Sequence, residues 1–228
     1  MADPSIMSHP IVHLGPIAVS VTVVTTWGIM AVIAIVAWLA SRRLQREPGR
    51  MQTALEGIVV TIENAIRAVA PKHAREILPF IGSLWVFLVI ANLTGLIPGL
   101  TSPTQDLSAT AALAVLVFLS THWFGIRIVG LKNYLSHYIT PSPILLPFHF
   151  ISEITRTVAL AVRLFGNIMS LEMAALMLLM VAGFLVPIPI LMLHIIEALV
   201  QAYVFGMLAL IYVAGGIQSH ERRQTKKE

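Results

Sequence analysis

No cysteine occurs among the 228 residues, so disulfides, thiol nucleophiles and thiolate-held metals are excluded at once. Charge is almost as scarce. Asp, Glu, Lys and Arg together make up 11% of the chain, against about 25% in an ordinary soluble domain. No Gly-rich phosphate loop, nucleophile elbow or HExxH zinc signature is present, which leaves no footing for phosphoryl transfer, serine hydrolysis or metalloprotease chemistry. No cleavable leader is expected: the first 17 residues carry His9, His13, Asp3 and three prolines where a basic stretch and an apolar core would stand. A transit peptide is not expected either, the first arginine being Arg42.

What the chain has in abundance is apolar surface, with 57% hydrophobic residues. Long apolar runs at such low charge mean that the bilayer is the solvent. The formal charge of +4 is no argument for nucleic acid, because the basic residues flank the apolar runs. One polytopic domain over residues 1–228 is expected, with five membrane spans at about 19–40, 77–98, 109–129, 144–186 and 189–216. Between the first two, Pro48-Gly49 breaks the chain. Over 51–70, Glu56, Glu63 and Arg67 then alternate with Leu55, Ile58, Val59, Ile62, Ile66 and Val69 at spacings of three and four. That pattern predicts an amphipathic helix lying in the interface. The loop from Gly130 to Pro143, with Lys132, His137 and two tyrosines, suits an interface as well.

Orientation follows from the basic residues. Of the 15 Lys and Arg, only Arg156 and Arg163 fall deep inside a span, Arg127 standing two residues from the end of the third. With residues 1–18 outside and five crossings, the others all reach one side, including the tail at 217–228. The positive-inside rule makes that side cytoplasmic. The fourth segment is too long for a simple crossing: some 40 residues at ~1.5 Å each give about 60 Å, against roughly 30 Å of hydrocarbon. The fold class expected is therefore an all-α membrane protein, five transmembrane helices plus one interfacial helix. Its last two spans, over 144–216, form a long, strongly tilted hairpin.

An ionisable group at membrane depth costs at least ~2.5–3.5 kcal/mol on insertion scales and reads by default as functional. The last two spans hold Glu153, Arg156, Arg163, Glu172, His194 and Glu197, with Asn167 and Gln201. Arg163 stands out because no carboxylate lies within a turn of it and an arginine cannot neutralise itself. An ion pair with Glu172 would be a purely structural reading. Nine residues at about 100° each place the two on opposite faces, ~13 Å apart along the axis. Arg163 therefore needs water, or a carboxylate from another helix or another protein. Arg156 lies about two turns earlier on the same face, and it could snorkel, pair with Glu153 at i+3 or serve an ion path. His194, Glu197 and Gln201 form one stripe at i, i+3, i+7. Counting about eight residues from the turn puts Glu172 and Glu197 at one depth, roughly 12 Å in, with His194 nearer the outside. Such a set reads as a proton relay or cation path, or alternatively as polar glue between two helices. A zinc site is not expected. His149 fits a cytoplasmic polar entrance or the surface, His122 a packing or lumen residue, and His9, His13 and His220 solvent.

At Arg163-Leu164-Phe165-Gly166-Asn167, continuing through Glu172 and His194-x-x-Glu197-x-x-x-Gln201-Ala202, the sequence resembles subunit a of the F-type ATP synthase. Asn92-Leu93-Thr94-Gly95-Leu96-Ile97-Pro98 and Pro141-Ser142-Pro143 match that family too, so the resemblance spans about 75–216. It implies an ion-translocating stator subunit, not an enzyme by itself and without a cofactor, in a bacterial plasma membrane. Its implied partners are a ring of c subunits, met through their ion-binding carboxylates, and the b subunits of the peripheral stalk. Arg163 would discharge each ring carboxylic acid and separate two aqueous half-channels. Glu172, His194 and Glu197 would line the outer one, with Gln201 close to Arg163 and Asn167 in the same motif. Arg156, Glu153 and His149 would lie on the cytoplasmic side. The sequence departs from the pattern at His149, where many relatives carry a glutamate, with Glu153 one turn later. The coupling ion, proton or sodium, is set largely by the ring. A secondary cation/proton antiporter is the competing reading, but no internal repeat is visible. A membrane anchor would leave the intramembrane charges unexplained.

Overall fold

The computed structural model describes residues 10–14, 17–42, 49–97, 100, 102–130, 146–182 and 187–224. Among the described residues six helices carry the fold: α1 (Val21–Arg42), α2 (Arg50–Val69), α3 (Ala74–Thr94), α4 (Leu107–Val129), α5 (Leu146–Ala182) and α6 (Pro187–Gln224). A 3-10 turn at Pro103–Gln105 precedes α4. All except α2 contain a stretch long and apolar enough to cross a membrane, so the five expected spans are present. Two short antiparallel strands, β1 (Pro10–Leu14) and β2 (Ile17–Ser20), lead into α1 and were not anticipated from the sequence.

The core lies where α3, α4, α5 and α6 meet. Ile77, Ile81 and Leu88 of α3, Val117 of α4, Leu160 and Leu164 of α5, and Phe205, Leu210 and Val213 of α6 are buried there. α3 and α6 come close because Gly206 has no side chain. A Cβ there would lie 2.0 Å from Nε1 of Trp85, and that indole N–H donates to the Tyr203 carbonyl at 3.3 Å. Small residues at a helix contact are how membrane helices gain close packing.

Polar side chains fix the ends. The Asp106 carboxylate accepts from Ser108 N at 2.9 Å and so caps α4. Its second oxygen accepts from Thr22 Oγ1 at 2.9 Å, which ties the first turn of α1 to the same point. Gly130 ends α4 at φ +88°, a conformation that favours glycine. α1 also touches α3 and β2, but only Ile29 of its residues is buried, as suits a helix largely in lipid. In α2, Ile66 is buried while Leu55, Ile58 and Val59 remain exposed. Arg67 pairs with Glu63 at 2.5 Å on its polar side. That division matches the amphipathic pattern.

α5 and α6 have 37 and 38 residues and pack on each other, so with the short link between them they form an antiparallel hairpin. The apolar part of α5 runs Phe150–Val181, 32 residues. At ~1.5 Å per residue this is about 48 Å, so α5 crosses a hydrocarbon layer of roughly 30 Å obliquely. α6 continues past the expected end at Gly216 to Gln224, because nothing in 217–224 breaks a helix. The basic stretch 43–48, Pro98, most of the loop over Gly130 to Pro143 including the Pro141-Ser142-Pro143 motif, and residues 183–186 lie outside the described residues. So do the side chains of His9, His13, His149 and His220.

Candidate membrane ion-path site

Arg163 lies near the middle of α5. Its helix turns Leu160, Ala161, Leu164 and Ile168 inward, and this leaves Val162, Arg163, Asn167 and Ser170 exposed. The guanidinium thus faces away from the rest of the chain, toward what would be lipid or a partner. Among the described residues, no carboxylate forms an ion pair with it. Glu172, the one candidate the sequence offered, does not reach it.

Behind the arginine the backbone is held in register. Gln201 of α6, 3% exposed, donates from Nε2 to the Arg163 carbonyl at 3.2 Å. Its Oε1 accepts from Asn167 Nδ2 at 2.7 Å. One buried amide therefore uses both ends on the Arg-Leu-Phe-Gly-Asn motif, one turn apart. This sets Gln201 opposite 163–167. Followed along the antiparallel pair, this leaves Glu172, His194 and Glu197 all on the turn side of Arg163. The sequence count had Glu172 and Glu197 level, and each stands ten residues from the turn end of its helix.

His194 is buried at the α3–α6 contact beside the backbone of Asn92. Its Nε2 has no protein partner, and neither does Oδ1 of Asn92. Nδ2 of Asn92 donates to the Ala198 carbonyl at 3.1 Å. Glu172 and Glu197 are half-buried. No group of three or more His, Asp and Glu arranged for a metal occurs among the described residues.

On the other side of Arg163 the contacts differ from the local expectation. Glu153 does not pair with Arg156 at i+3. Its Oε2 instead lies 3.2 Å from Nε2 of His122 on α4. Arg156 stacks over the Tyr212 ring of α6 at 5.7 Å. His149 is in the first turns of α5. The residues that sequence reasoning underrated are His122, Tyr212, Asn92 and Trp85. His122 carried a usable signal, a titratable group inside a span, and belonged with the others on that ground.

A family profile described as ATP synthase A chain matches residues 23–214. The ATP synthase subunit a 2 of Pelobacter propionicus is 66% identical, over 95% of this chain and 95% of its own length. The ATP synthase subunit a 1 of Hahella chejuensis is 63% identical, over 93% and 91%. The ATP synthase subunit a of Legionella pneumophila is 55% identical, over 97% and 96%.

Proposed function

Since the chain belongs to the ATP synthase subunit a family, we propose that it is the ion-translocating stator subunit of a rotary ATP synthase, with Arg163 meeting the carboxylates of a rotating c ring. The observation that carries this reading is the exposed Arg163 on a membrane helix with no carboxylate paired to it among the described residues. A charge that costs at least ~2.5–3.5 kcal/mol in lipid needs a counter-charge from outside the chain. Ring carboxylates supply one in turn. The Arg163 cation favours the ionised form of each arriving carboxylic acid and so drives its proton off. Being permanent, it also bars direct passage of a cation between the two sides.

Two access paths complete the coupling. Glu172, His194 and Glu197 line the outer one, at the turn end of the hairpin, and Gln201 with Asn167 holds the Arg163 backbone between the paths. Glu153, Arg156 and His149 lie toward the inner one. An ion crossing 100 mV releases ~2.3 kcal/mol, and offset access paths turn this into rotation of the ring. The bare faces of α1 and α2 suit lipid and the b subunits of the peripheral stalk. The distribution of Lys and Arg supports an outer N-terminus and a cytoplasmic C-terminus in a bacterial plasma membrane. The subunit performs no covalent chemistry by itself.

The test is Arg163→Ala in native membranes. ATP-driven ion pumping is expected to vanish while ATP hydrolysis by the soluble sector persists; pumping that survives the substitution overturns the reading. The same assay with sodium withheld and an uncoupler added identifies the ion.

A further inference from the structure

Glu153 of α5 has a partner on another helix. His122 of α4 reaches across to α5, and its two ring nitrogens have distinct partners. Nδ1 lies 2.9 Å from the carbonyl oxygen of Phe118, one turn back. A carbonyl oxygen only accepts, so Nδ1 carries a hydrogen. Nε2 lies 3.2 Å from Oε2 of Glu153. With Nδ1 protonated, a hydrogen bond there requires one proton between nitrogen and oxygen. The pair is either an imidazole accepting from a carboxylic acid or an imidazolium donating to a carboxylate. In both forms it is neutral overall and holds one exchangeable proton.

Its surroundings suit traffic of that proton. The two side chains are 27% and 26% exposed, neither sealed off nor in the open. Arg156, at i+3 from Glu153, lies over the Tyr212 ring. His122 precedes the end of α4, and Glu153 follows the start of α5, by seven residues each. At 1.5 Å per residue that is roughly 10 Å from the α4–α5 loop end. Glu153 lies ten residues before Arg163 on α5, about 15 Å along the axis, on the opposite side from Glu172.

We infer that His122 and Glu153 together form a proton-transfer site of the inner half-path, the histidine of α4 and the carboxylate of α5 sharing and passing one proton. This rests on the function proposed above, with the proton as the ion. The step balances without a co-reactant. A proton leaving a ring carboxylic acid at Arg163 travels through water and adds to the pair, which becomes a carboxylic acid beside an imidazolium, net +1. The pair then gives one proton to water at the inner surface and returns to neutral. Two basic atoms in one hydrogen bond allow entry at one and exit at the other.

The test uses membrane vesicles carrying the whole complex, with ATP-driven pumping measured first and passive proton conductance after the catalytic sector is stripped. His122→Gln and Glu153→Gln each keep a hydrogen-bonding amide between α4 and α5 but cannot ionise. Each is expected to lower passive conductance about a hundredfold, the effect of losing a positioned acid–base group, at unchanged amounts of assembled complex. The double variant His122→Glu/Glu153→His restores both groups in exchanged positions and is expected to recover most of the conductance. A contact that only joins two helices would tolerate the amides and gain nothing specific from the exchange. Amide variants that conduct like the unmodified complex overturn the inference, as does an assembled exchanged variant that stays as slow as the single ones. An unmodified complex that conducts sodium but no protons overturns it too. If the amides prevent assembly, the exchanged variant decides alone. Normal pumping by Arg163→Ala would instead overturn the parent reading.

Discussion

Arg163 and Gln201 divide the work between side chain and backbone. The guanidinium points out of the molecule, while the carbonyl of the same residue accepts from the buried Gln201 amide. A long, exposed cation is useful at a rotating contact only if its base is fixed, and Gln201 fixes it while also bonding Asn167. Gln201→Leu keeps the volume but removes both hydrogen bonds, a loss of about 1–2 kcal/mol. The expected outcome is a several-fold fall in ATP-driven pumping at normal amounts of subunit, read by fluorescence quenching in inverted vesicles. Unchanged pumping would mean that the α5–α6 register does not depend on this amide.

Between elements, the closest approach is that of α3 and α6. Trp85 stacks on Tyr203, ring centroids 6.0 Å apart, and occupies the space a side chain at Gly206 would need. Gly206→Ala would drive a methyl into the indole and break the bond to the Tyr203 carbonyl, a cost of about 1–3 kcal/mol for overpacking. The measurement is the amount of subunit retained in the membrane, which is expected to fall. Trp85→Leu in the same chain makes room and is expected to recover part of it. Equal retention of Gly206→Ala and the parent chain would show that the two helices can separate without cost.

At the scale of the whole molecule, five spans place Ser108 and Lys72 on opposite faces of the membrane, since α3 lies between them. Both positions are exposed. Because the chain has no cysteine, Ser108→Cys and Lys72→Cys can be labelled without background. A membrane-impermeant maleimide applied to the outer face is expected to modify the first and spare the second, with the reverse in inverted vesicles. Labelling of both from one face would refute the arrangement of spans and the orientation read from the basic residues.

Much of this was legible in the chain itself. Apolar run length is a local property, so the five spans and the amphipathic α2 could be read directly. Arg163 announced itself because a permanent charge in an apolar run is an energetic anomaly visible without coordinates. The His194–Glu197–Gln201 stripe needed only helical spacing. Other features depend on residues far apart in sequence. Glu153 had a plausible partner at i+3 in Arg156, yet it bonds His122 of another helix, and Arg156 goes to Tyr212. The turn of the hairpin could be located only within several residues, so the side-chain contacts of Gln201 that hold α5 against α6 awaited the structure. Sequence periodicity determines which face a residue occupies on its own helix. Which neighbouring helix that face meets, and at what height, is set by packing, where Gly206, Trp85 and Gln201 lock one register among several that hydrophobicity alone would allow.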